Sequence, residues 1–412
     1  MSQDRSSSFS DCIEWLNNRS QEGDLSLTDF WGVVVCYIKG VQLEKRTLAK
    51  EGQRDKDGAT PYPLYSAVER ALLDKNAEEE PWFEVSTHQA GFTEPGAFVE
   101  TALLKQPFQG GKVQMDSRRK PMDMVQLQGI CGSAFGDSQI NIKYIWGLIK
   151  NWFHEHWPVA DHDHNPFYGP VFKLLDDFGD MERSYDDLQE LKIELHDFCG
   201  SHIHSDALTT LVRKTWYKMT EVQKRKYITT ILDELNQSLN PSLKMKLKAT
   251  YSVSWWDASK LLMKALSLVY NWDFGEMPNI LYKLRDRRVP LGMCEKDIMH
   301  VIDAGLYLNS PYPPLLGKKR DIDLIISFDF SEGDPFETVK KAHQYAERCK
   351  VPFPEINLDG TDDDCPKSLY IFEGRDKLTV IHIPLFNIDN CKGQSRLKSS
   401  REGTVMARIV SK

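Results

Sequence analysis

A single carboxylate, Asp303, stands where the sequence favours catalytic chemistry. It follows the apolar pair Val301-Ile302, and Gly305 and a turn-rich Asn-Ser-Pro-Tyr-Pro-Pro segment come after it. A polar group at the point where a buried strand opens into a loop lies on a rigid scaffold, and α/β enzymes often place reacting groups there. Apolar neighbours can raise the pKa of a carboxylate, so Asp303 is a candidate catalytic residue. An Asp that only caps a turn gives the same pattern.

Arg320 is the second candidate, because it lies between this loop and the strand predicted over residues 323–330. A guanidinium group binds phosphate or carboxylate oxygens with two parallel hydrogen bonds. The alternative for Arg320 is a surface ion pair with Asp321 or Asp323, which would contribute little to stability.

A Ser flanked by glycines, as in the nucleophile turn of many α/β hydrolases, is not evident in the sequence. No Ser has Gly both two residues before it and two residues after it. Ser331, Ser138 and Ser395 have half of that pattern, and Ser133 lies in a Gly-Ser-Ala-Phe-Gly block that is shifted by one residue. Gly110-Gly111 predicts a hairpin turn and not an oxyanion loop. The sequence therefore contains a candidate catalytic carboxylate and a candidate anion ligand without an evident Ser nucleophile.

Histidines are concentrated in one region, which raises the question of a metal site. Seven of the eleven are His154, His156, His162, His164, His196, His202 and His204. A zinc or copper site is one interpretation. A solvated loop is the favoured one, because two His residues spaced by one residue share a face only on a strand and this region is predicted as loop and helix. We expect no metal and no cofactor.

An aromatic segment, Trp255-Trp256, Tyr270, Trp272 and Phe274, has two interpretations as well. These side chains suit the headgroup level of a lipid bilayer, and they equally suit ordinary packing, which is favoured.

The amino-acid composition limits the classes to which this protein can belong. The hydrophobic fraction of 41% and the aromatic fraction of 11% over 412 residues are typical of a folded globular chain. A net charge of −8 argues against nucleic-acid binding and offers no general attraction to anionic lipid. Eight scattered Cys residues without a Cys-x-x-Cys motif fit a reducing compartment. We expect no secretory signal and no transmembrane segment.

The hydrophobic periodicity changes twice along the chain. Residues 82–99 alternate as strands do, residues 185–198, 207–239 and 258–270 have helical spacing, and strands return at 323–330 and 378–386. Thr28 is predicted to cap a helix over residues 28–38, and Asp334 is predicted to cap another that ends near Arg348. The alternation of strands and helices indicates an α/β fold with a parallel or mixed sheet.

Several long blocks in fixed order resemble the cytosolic phospholipase A2 family (group IV), with the gamma-like branch fitting best. They include SLTDFW (26–31), PYPLY (61–65), WFE and HQAGF (82–84, 88–92), GAFV (96–99), GSAFG (132–136), NILYK (279–283), DAGL and NSPYP (303–306, 309–313), DLIISFDFS (323–331), GDPFET (333–338) and PLFNID (384–389). Long blocks in order are more specific than a short motif.

The resemblance implies a serine acyl hydrolase with a patatin-like α/β catalytic domain. In that family a Ser–Asp dyad hydrolyses glycerophospholipid acyl esters, and lysophospholipase or transacylase activity accompanies it in some members. Asp303 matches the dyad Asp and Arg320 matches an Arg near the substrate phosphate. The family Ser lies in a Gly-x-Ser-Gly-Ser elbow, and a Gly-rich oxyanion loop precedes it; the sequence matches neither. The alternative is a catalytically inactive lipid-binding or regulatory fragment.

The resemblance also implies an organisation and a location. We expect residues 1–149 and 293–397 to form an incomplete catalytic domain, residues 150–292 an inserted helical cap, and residues 398–412 an unmatched tail. The expected location is the cytosol and the surface of intracellular membranes, with phospholipid as the substrate and no calcium requirement for binding. Both ends are expected to be truncated.

Overall fold

The computed structural model describes residues 8–23, 25–51, 61–73, 82–117, 119–133, 147, 151, 168–199, 213–238, 253–271, 275–316, 320–331, 333–361, 363–374 and 378–393. The helices are α1 (Phe9–Gln21), α2 (Leu27–Ile38), α3 (Leu48–Glu51), α4 (Arg70–Leu73), α5 (Met124–Cys131), α6 (Tyr168–Asp176), α7 (Met181–Cys199), α8 (Arg213–Trp216), α9 (Glu221–Ser238), α10 (Val253–Asn271), α11 (Glu337–Cys349) and α12 (Ile388–Cys391). The strands are β1 (Leu64–Glu69), β2 (Trp82–Ser86), β3 (Gln89–Phe92), β4 (Ala97–Glu100), β5 (Phe108–Gln109), β6 (Lys112–Val113), β7 (Glu276–Pro278), β8 (Ile298–Asp303), β9 (Leu324–Asp329), β10 (Tyr370–Glu373) and β11 (Thr379–Pro384).

The chain divides into two compact units. One unit comprises residues 1–45, 117–120 and 124–276, and the other comprises residues 46–116, 121–123 and 277–412. The described part of the first unit is helical, and the second contains the sheets, so the fold is mixed α/β. The domain boundaries predicted from the sequence stay a prediction; the contacts group residues 1–45 with the helical segment.

The helical unit has a core of leucines at helical spacing. In α7, Leu188, Leu191 and Leu195 are fully buried, as the predicted helix over residues 185–198 requires. Each such side chain contributes roughly 1.5–3 kcal/mol relative to an exposed one. Helix α10 confirms the prediction for residues 258–270, and Tyr270 at its end is buried, with its hydroxyl 2.7 Å from the Leu174 carbonyl oxygen. The other side chains of the aromatic segment lie outside those described.

The predicted cap of α2 is wrong by two residues. Ser26 is the N-cap: its Oγ accepts from the Asp29 N–H at 3.3 Å, and the Asp29 carboxylate accepts from the Ser26 N–H at 2.7 Å. This reciprocal pair satisfies two backbone donors that the first helical turn leaves open. Thr28 lies inside the helix, and its Oγ1 accepts from the Gly275 N–H at 2.8 Å.

The second unit is organised around a sheet with strand order β4-β3-β2-β1-β8-β7. Strand β1 pairs antiparallel with both β2 and β8, and β3 pairs antiparallel with β2 and β4. The predicted strand segment over residues 82–99 is therefore confirmed as three strands. Gly91 lies inside β3, and the close approach of β4 requires glycine there, because a Cβ would overlap the Ala97 carbonyl oxygen.

A smaller sheet, β10-β11-β9, contains the parallel pairing that the sequence predicted, between β9 and β11. Helix α11 packs beside it and begins at Glu337, later than predicted. Asp334 makes a tight turn before the helix, in which its Oδ1 accepts from the Phe336 N–H at 2.8 Å.

Strand β9, predicted over residues 323–330, is buried on one of its faces only. Ile325, Ser327 and Asp329 are buried, whereas Leu324, Ile326 and Phe328 are 49%, 52% and 61% exposed. The register aligns Ile326 with Ile381 of β11 and with Ile371 of β10. Among the described residues these three side chains form an apolar row across the sheet, of the kind that promotes association.

We predict that replacing the exposed ends of this row reduces self-association. The double variant Ile326→Thr/Ile371→Thr keeps β-branched residues in the strands and removes apolar surface, so its stability should change by less than about 1 kcal/mol. Sedimentation velocity over a concentration series should show less association than for the unmodified chain. As a control, Ile325→Thr changes the buried face and should cost more than about 2 kcal/mol. Association unchanged in the double variant would assign it to another surface.

Candidate active site

Asp303 is the last residue of β8, where the sequence placed it, and its carboxylate is fixed by the backbone. Its Oδ1 accepts from the Gly305 N–H at 2.7 Å and begins a short 3₁₀ turn over Ala304–Leu306. A Cβ on Gly305 would lie 3.1 Å from that oxygen, so the small residue permits the contact. The turn-capping role that the sequence left as an alternative is therefore present. A carboxylate oriented in this way on a strand end can also accept a proton from a neighbouring hydroxyl.

The loop after Asp303 is connected to β9 by a chain of hydrogen bonds. Asn309 Nδ2 donates to Ser331 Oγ at 2.6 Å, and the Ser331 N–H donates to Asp329 Oδ1 at 2.8 Å. Thr338 Oγ1 donates to the other oxygen of Asp329 at 2.5 Å, which ties α11 to the same carboxylate. Asp329 is 2% exposed, so these bonds compensate for burying it.

Sequence reasoning missed Asp329 as a structural carboxylate. The sequence signal that could have found it is its spacing, because Ile325, Ser327 and Asp329 occupy every second position of β9. The two polar residues therefore lie on the same buried face as the isoleucine.

Arg320 has a different partner from either that the sequence suggested. Its Nη1 and Nη2 donate to the two carboxylate oxygens of Glu84, at 2.8 and 2.7 Å, and Nη1 also donates to the Pro314 carbonyl oxygen. The Glu84 side chain is 3% exposed and that of Arg320 is 32% exposed. The hydrogen bonds that Arg320 donates to Glu84, opposed in part by desolvation, raise the pKa of Arg320 above its ordinary value. The guanidinium therefore remains charged and oriented.

The sheet register places the two predicted site residues on opposite faces. Ala67 of β1 pairs with both Asp303 and Phe83, so these three residues point to one face. Glu84, which holds Arg320, follows Phe83 and points to the other face. The structure thus does not bring Asp303 and Arg320 together on one surface of the sheet.

Arg320 lines a cavity of about 520 Å³ in the second unit. Its charged lining residues are Glu84, Glu94, Arg288 and Arg320, and its other lining residues include Tyr62 and Gln89. Two cations and two carboxylates give the lining no formal net charge. The Arg288 side chain is 74% exposed and is bound by Asp286 at 2.6 Å, which leaves Arg320 as the cation best positioned for a ligand.

The serines with partial elbow motifs have structural contacts where they are described. Ser133 is fully buried and its Oγ donates to the Ile130 carbonyl oxygen at 2.7 Å, and Ser331 belongs to the Asp329 network. Ser138 and Ser395 lie outside the described residues. The hairpin predicted at Gly110-Gly111 is confirmed: it joins β5 to β6 with φ of 60° and 78°.

The histidine cluster falls almost entirely outside the described residues. His196 is described, and its ring is 58% exposed beside Asp197. Within the described part of the chain no group of three or more His, Cys, Asp or Glu side chains is arranged to hold a metal ion. A search of the same residues finds no helix with the length and apolar character needed to cross a membrane.

The chain is similar in sequence to cytosolic phospholipases A2. No family model matches it. It is 28% identical to mouse cytosolic phospholipase A2 gamma over 411 residues, which cover 96% of this chain and 68% of that protein. It is 29% identical to the human gamma protein, covering 89% and 64%, and 25% identical to mouse cytosolic phospholipase A2 zeta, covering 89% and 38%.

The chain thus spans about two thirds of the gamma relatives, and these similarities relate it to the cytosolic phospholipase A2 family. Among solved structures, human GIVD cytosolic phospholipase A2 matches with a TM-score of 0.49 and 15% identity, covering 97% of this chain and 51% of that one.

A buried histidine, His382, lies beside Asp329 in the second unit. His382 Nε2 lies 2.6 Å from the Pro335 carbonyl oxygen and must donate to it, and Nδ1 has no hydrogen-bond partner among the described residues. Burial lowers the pKa of His382, although the Pro335 carbonyl and Asp329, 4.0 Å from Nε2, partly offset this effect. A second proton on Nδ1 would therefore be buried without an acceptor.

We predict that His382 contributes to a loss of stability below about pH 6.5, the ordinary His pKa. A pKa lowered by folding favours the folded state above the unfolded-state pKa, and this contribution is lost as pH falls toward the folded-state pKa. The slope is at most about 1.4 kcal/mol per pH unit for one proton. Urea unfolding between about pH 8 and pH 5.5 should give a shallower dependence for His382→Gln, whose amide can donate to Pro335. His196→Gln is the matched control, because the His196 side chain is 58% exposed and its replacement removes an imidazole without changing a buried one. If His382→Gln kept the full slope, the acid sensitivity would come from other groups.

Proposed function

We propose that this chain is the Asp-bearing part of a cytosolic phospholipase A2-type acyl hydrolase, with a patatin-like α/β catalytic domain and a helical cap. The observation that carries the proposal is the position of Asp303 at the end of β8, with one oxygen held by Gly305, in a chain similar to a phospholipase along 96% of its length. Residues 1–149 and 293–397 would belong to the catalytic domain and residues 150–292 to the cap.

In this proposal Asp303 is the general base of a Ser–Asp dyad. It accepts the proton of a Ser hydroxyl as the Ser oxygen attacks the acyl carbonyl carbon of a glycerophospholipid. The tetrahedral intermediate collapses, the carbon–oxygen bond to glycerol breaks, and the leaving lysophospholipid oxygen takes the proton. Water then attacks the acyl-enzyme by the same route and releases the fatty acid. The same steps apply to a lysophospholipid substrate.

The Ser is proposed to lie in a segment outside these 412 residues, since none of their serines has the elbow motif. Arg320 is proposed to bind the substrate phosphate, because its charge lines a cavity of about 520 Å³. No metal takes part, and the enzyme would act in the cytosol at intracellular membrane surfaces.

The absence of that motif favours a second candidate, a catalytically inactive lipid-binding or regulatory fragment. Sequencing the transcript from which the chain is made distinguishes the two. An in-frame Gly-x-Ser-Gly-Ser upstream supports the hydrolase, and a transcript that encodes only these residues supports the fragment.

We predict that the 412-residue chain alone does not hydrolyse phospholipid, because it lacks the nucleophile and its oxyanion donors. Release of labelled fatty acid from mixed micelles should equal that of the Asp303→Ala variant. Turnover by the unmodified chain that disappears in Asp303→Ala would mean that a Ser within these residues serves as the nucleophile.

In a chain extended to include the elbow, substitutions of Asp303 and Arg320 should affect different kinetic constants. Asp303→Asn keeps the acceptor for Gly305 and removes the base, so kcat should fall by several orders of magnitude while lipid binding is retained. Arg320→Ala should raise KM for phospholipid by about tenfold or more and leave phosphate-free esters nearly unchanged.

Melting curves are the control for Arg320→Ala, because that change leaves Glu84 buried without its partner. Equal harm to both substrates in a folded Arg320→Ala variant would make Arg320 structural. A normal kcat in Asp303→Asn would reject the dyad assignment.

A further inference from the structure

The ion pair between Arg320 and Glu84 leaves one edge of the guanidinium available to a ligand. Glu84 occupies the edge formed by Nη1 and Nη2, and Pro314 takes the remaining N–H of Nη1. The Nε–H and the second N–H of Nη2 form the other edge, and no acceptor from the described residues lies on it. A planar guanidinium can bind a second pair of oxygens there in parallel.

The Arg320 side chain that carries this edge is held in one orientation by its partners. Glu84 lies within β2, is 3% exposed and also accepts from Thr93 Oγ1 at 3.2 Å. The Arg320 side chain is 32% exposed and lines the cavity of about 520 Å³. The donor edge is therefore oriented before a ligand arrives, which lowers the entropic cost of binding.

The same contact offsets the charge of the site. A buried carboxylate 2.7 Å from the guanidinium cancels much of its attraction for an anion. The remaining charged lining residues, Arg288 and Glu94, are again one cation and one carboxylate. Such a site keeps two directional hydrogen-bond donors but has little net positive potential. A second negative charge on the ligand therefore adds almost nothing to the binding free energy.

We propose that Glu84 determines specificity at this site: it orients Arg320 and restricts the bound group to a singly charged phosphodiester in preference to a doubly charged phosphomonoester. The proposal rests on the proposed function of Arg320 as the phosphate ligand and narrows its substrate class. The substrate would be a phospholipid with an esterified headgroup, and phosphatidic acid would be disfavoured.

Two short-chain lipids test this proposal directly. Dihexanoylphosphatidylmethanol carries a monoanionic phosphodiester, and dihexanoylphosphatidic acid is dianionic at about pH 8.5, well above the second phosphate pKa of about 6. Both are titrated below their micelle concentration into the 412-residue chain by isothermal calorimetry. The unmodified chain should bind the diester at least as tightly as the monoester.

The decisive variant is Glu84→Gln, which keeps a side-chain acceptor for Arg320 and removes the charge. The affinity of this variant for the monoester, relative to its affinity for the diester, should rise by about tenfold or more. The reason is that the Coulomb attraction between Arg320 and the second negative charge is no longer offset by Glu84. Glu94→Gln is the matched control, since it removes a carboxylate from the same cavity without touching Arg320, and its relative affinity should change by less than about twofold. Equal changes in the two variants would overturn a specific role for Glu84, and so would no change in either.

A double variant, Glu84→Gln/Arg320→Gln, separates this proposal from the proposed function. Two amides can hydrogen-bond to each other, so no unpaired charge stays buried, and far-ultraviolet circular dichroism checks that it is folded. The affinity of this double variant for both lipids should fall by about tenfold or more. If it bound both as the unmodified chain does, Arg320 would not be the phosphate ligand. If the unmodified chain bound neither lipid, both proposals would be rejected. If binding depended on Arg320 but did not change in Glu84→Gln, only the proposed role of Glu84 would be rejected.

Discussion

The second unit depends on the pairing of β1 with two neighbours at once. Strand β1 hydrogen-bonds to β2 on one side and to β8 on the other, and Ala67 aligns with Phe83 and with Asp303. Successive side chains of a strand point to opposite faces, so this register alone determines the face of every side chain in three strands. A slip of one residue would exchange the two faces and bury different groups.

Two buried carboxylates, Glu84 in β2 and Asp329 in β9, depend on specific partners. Glu84 and Asp329 each lie on an inward face, where an ionised side chain without partners would cost several kcal/mol. Glu84 receives a guanidinium from the segment before β9, and Asp329 receives the Ser331 N–H and the Thr338 hydroxyl. The Glu84 contact joins residues 236 positions apart, whereas the Asp329 contacts span two and nine residues and fix the turn between β9 and α11. The carboxylates therefore specify the geometry of the loops more than they add to stability.

How much of this could be predicted depended on whether the signal was local. Helical spacing predicted α7 and α10, the Gly110-Gly111 pair predicted its hairpin, and the apolar run before Asp303 predicted a strand that ends there. The cap of α2 was placed at Thr28, because Ser26 and Thr28 both suit an N-cap and only the reciprocal contact with Asp29 decides between them. The Glu84 partner of Arg320 lies 236 residues away in sequence, so no spacing rule identifies it. The long sequence blocks suggested roles for Asp303 and Arg320, but a sequence block carries no information on which face of a sheet each occupies.

The opposite faces of Asp303 and Glu84 constrain how a lipid would reach both candidate residues. They are separated by the width of β1, about 10 Å between backbones at a strand spacing of about 4.8 Å. Asp303 is, however, the last residue of β8, and a 3₁₀ turn follows it at once. Its carboxylate therefore lies at the end of β8, whereas β1 continues beyond it to Leu64, still paired with β2. Arg320 likewise precedes its strand and is held by the Pro314 carbonyl of the loop that follows Asp303. A phospholipid that used both residues would have to pass around this end of β1, with its ester at the terminus of β8 and its phosphate on the Arg320 face. The loop from Gly305 to Pro314, held by Asn309 and Ser331, would then be the surface that it crosses.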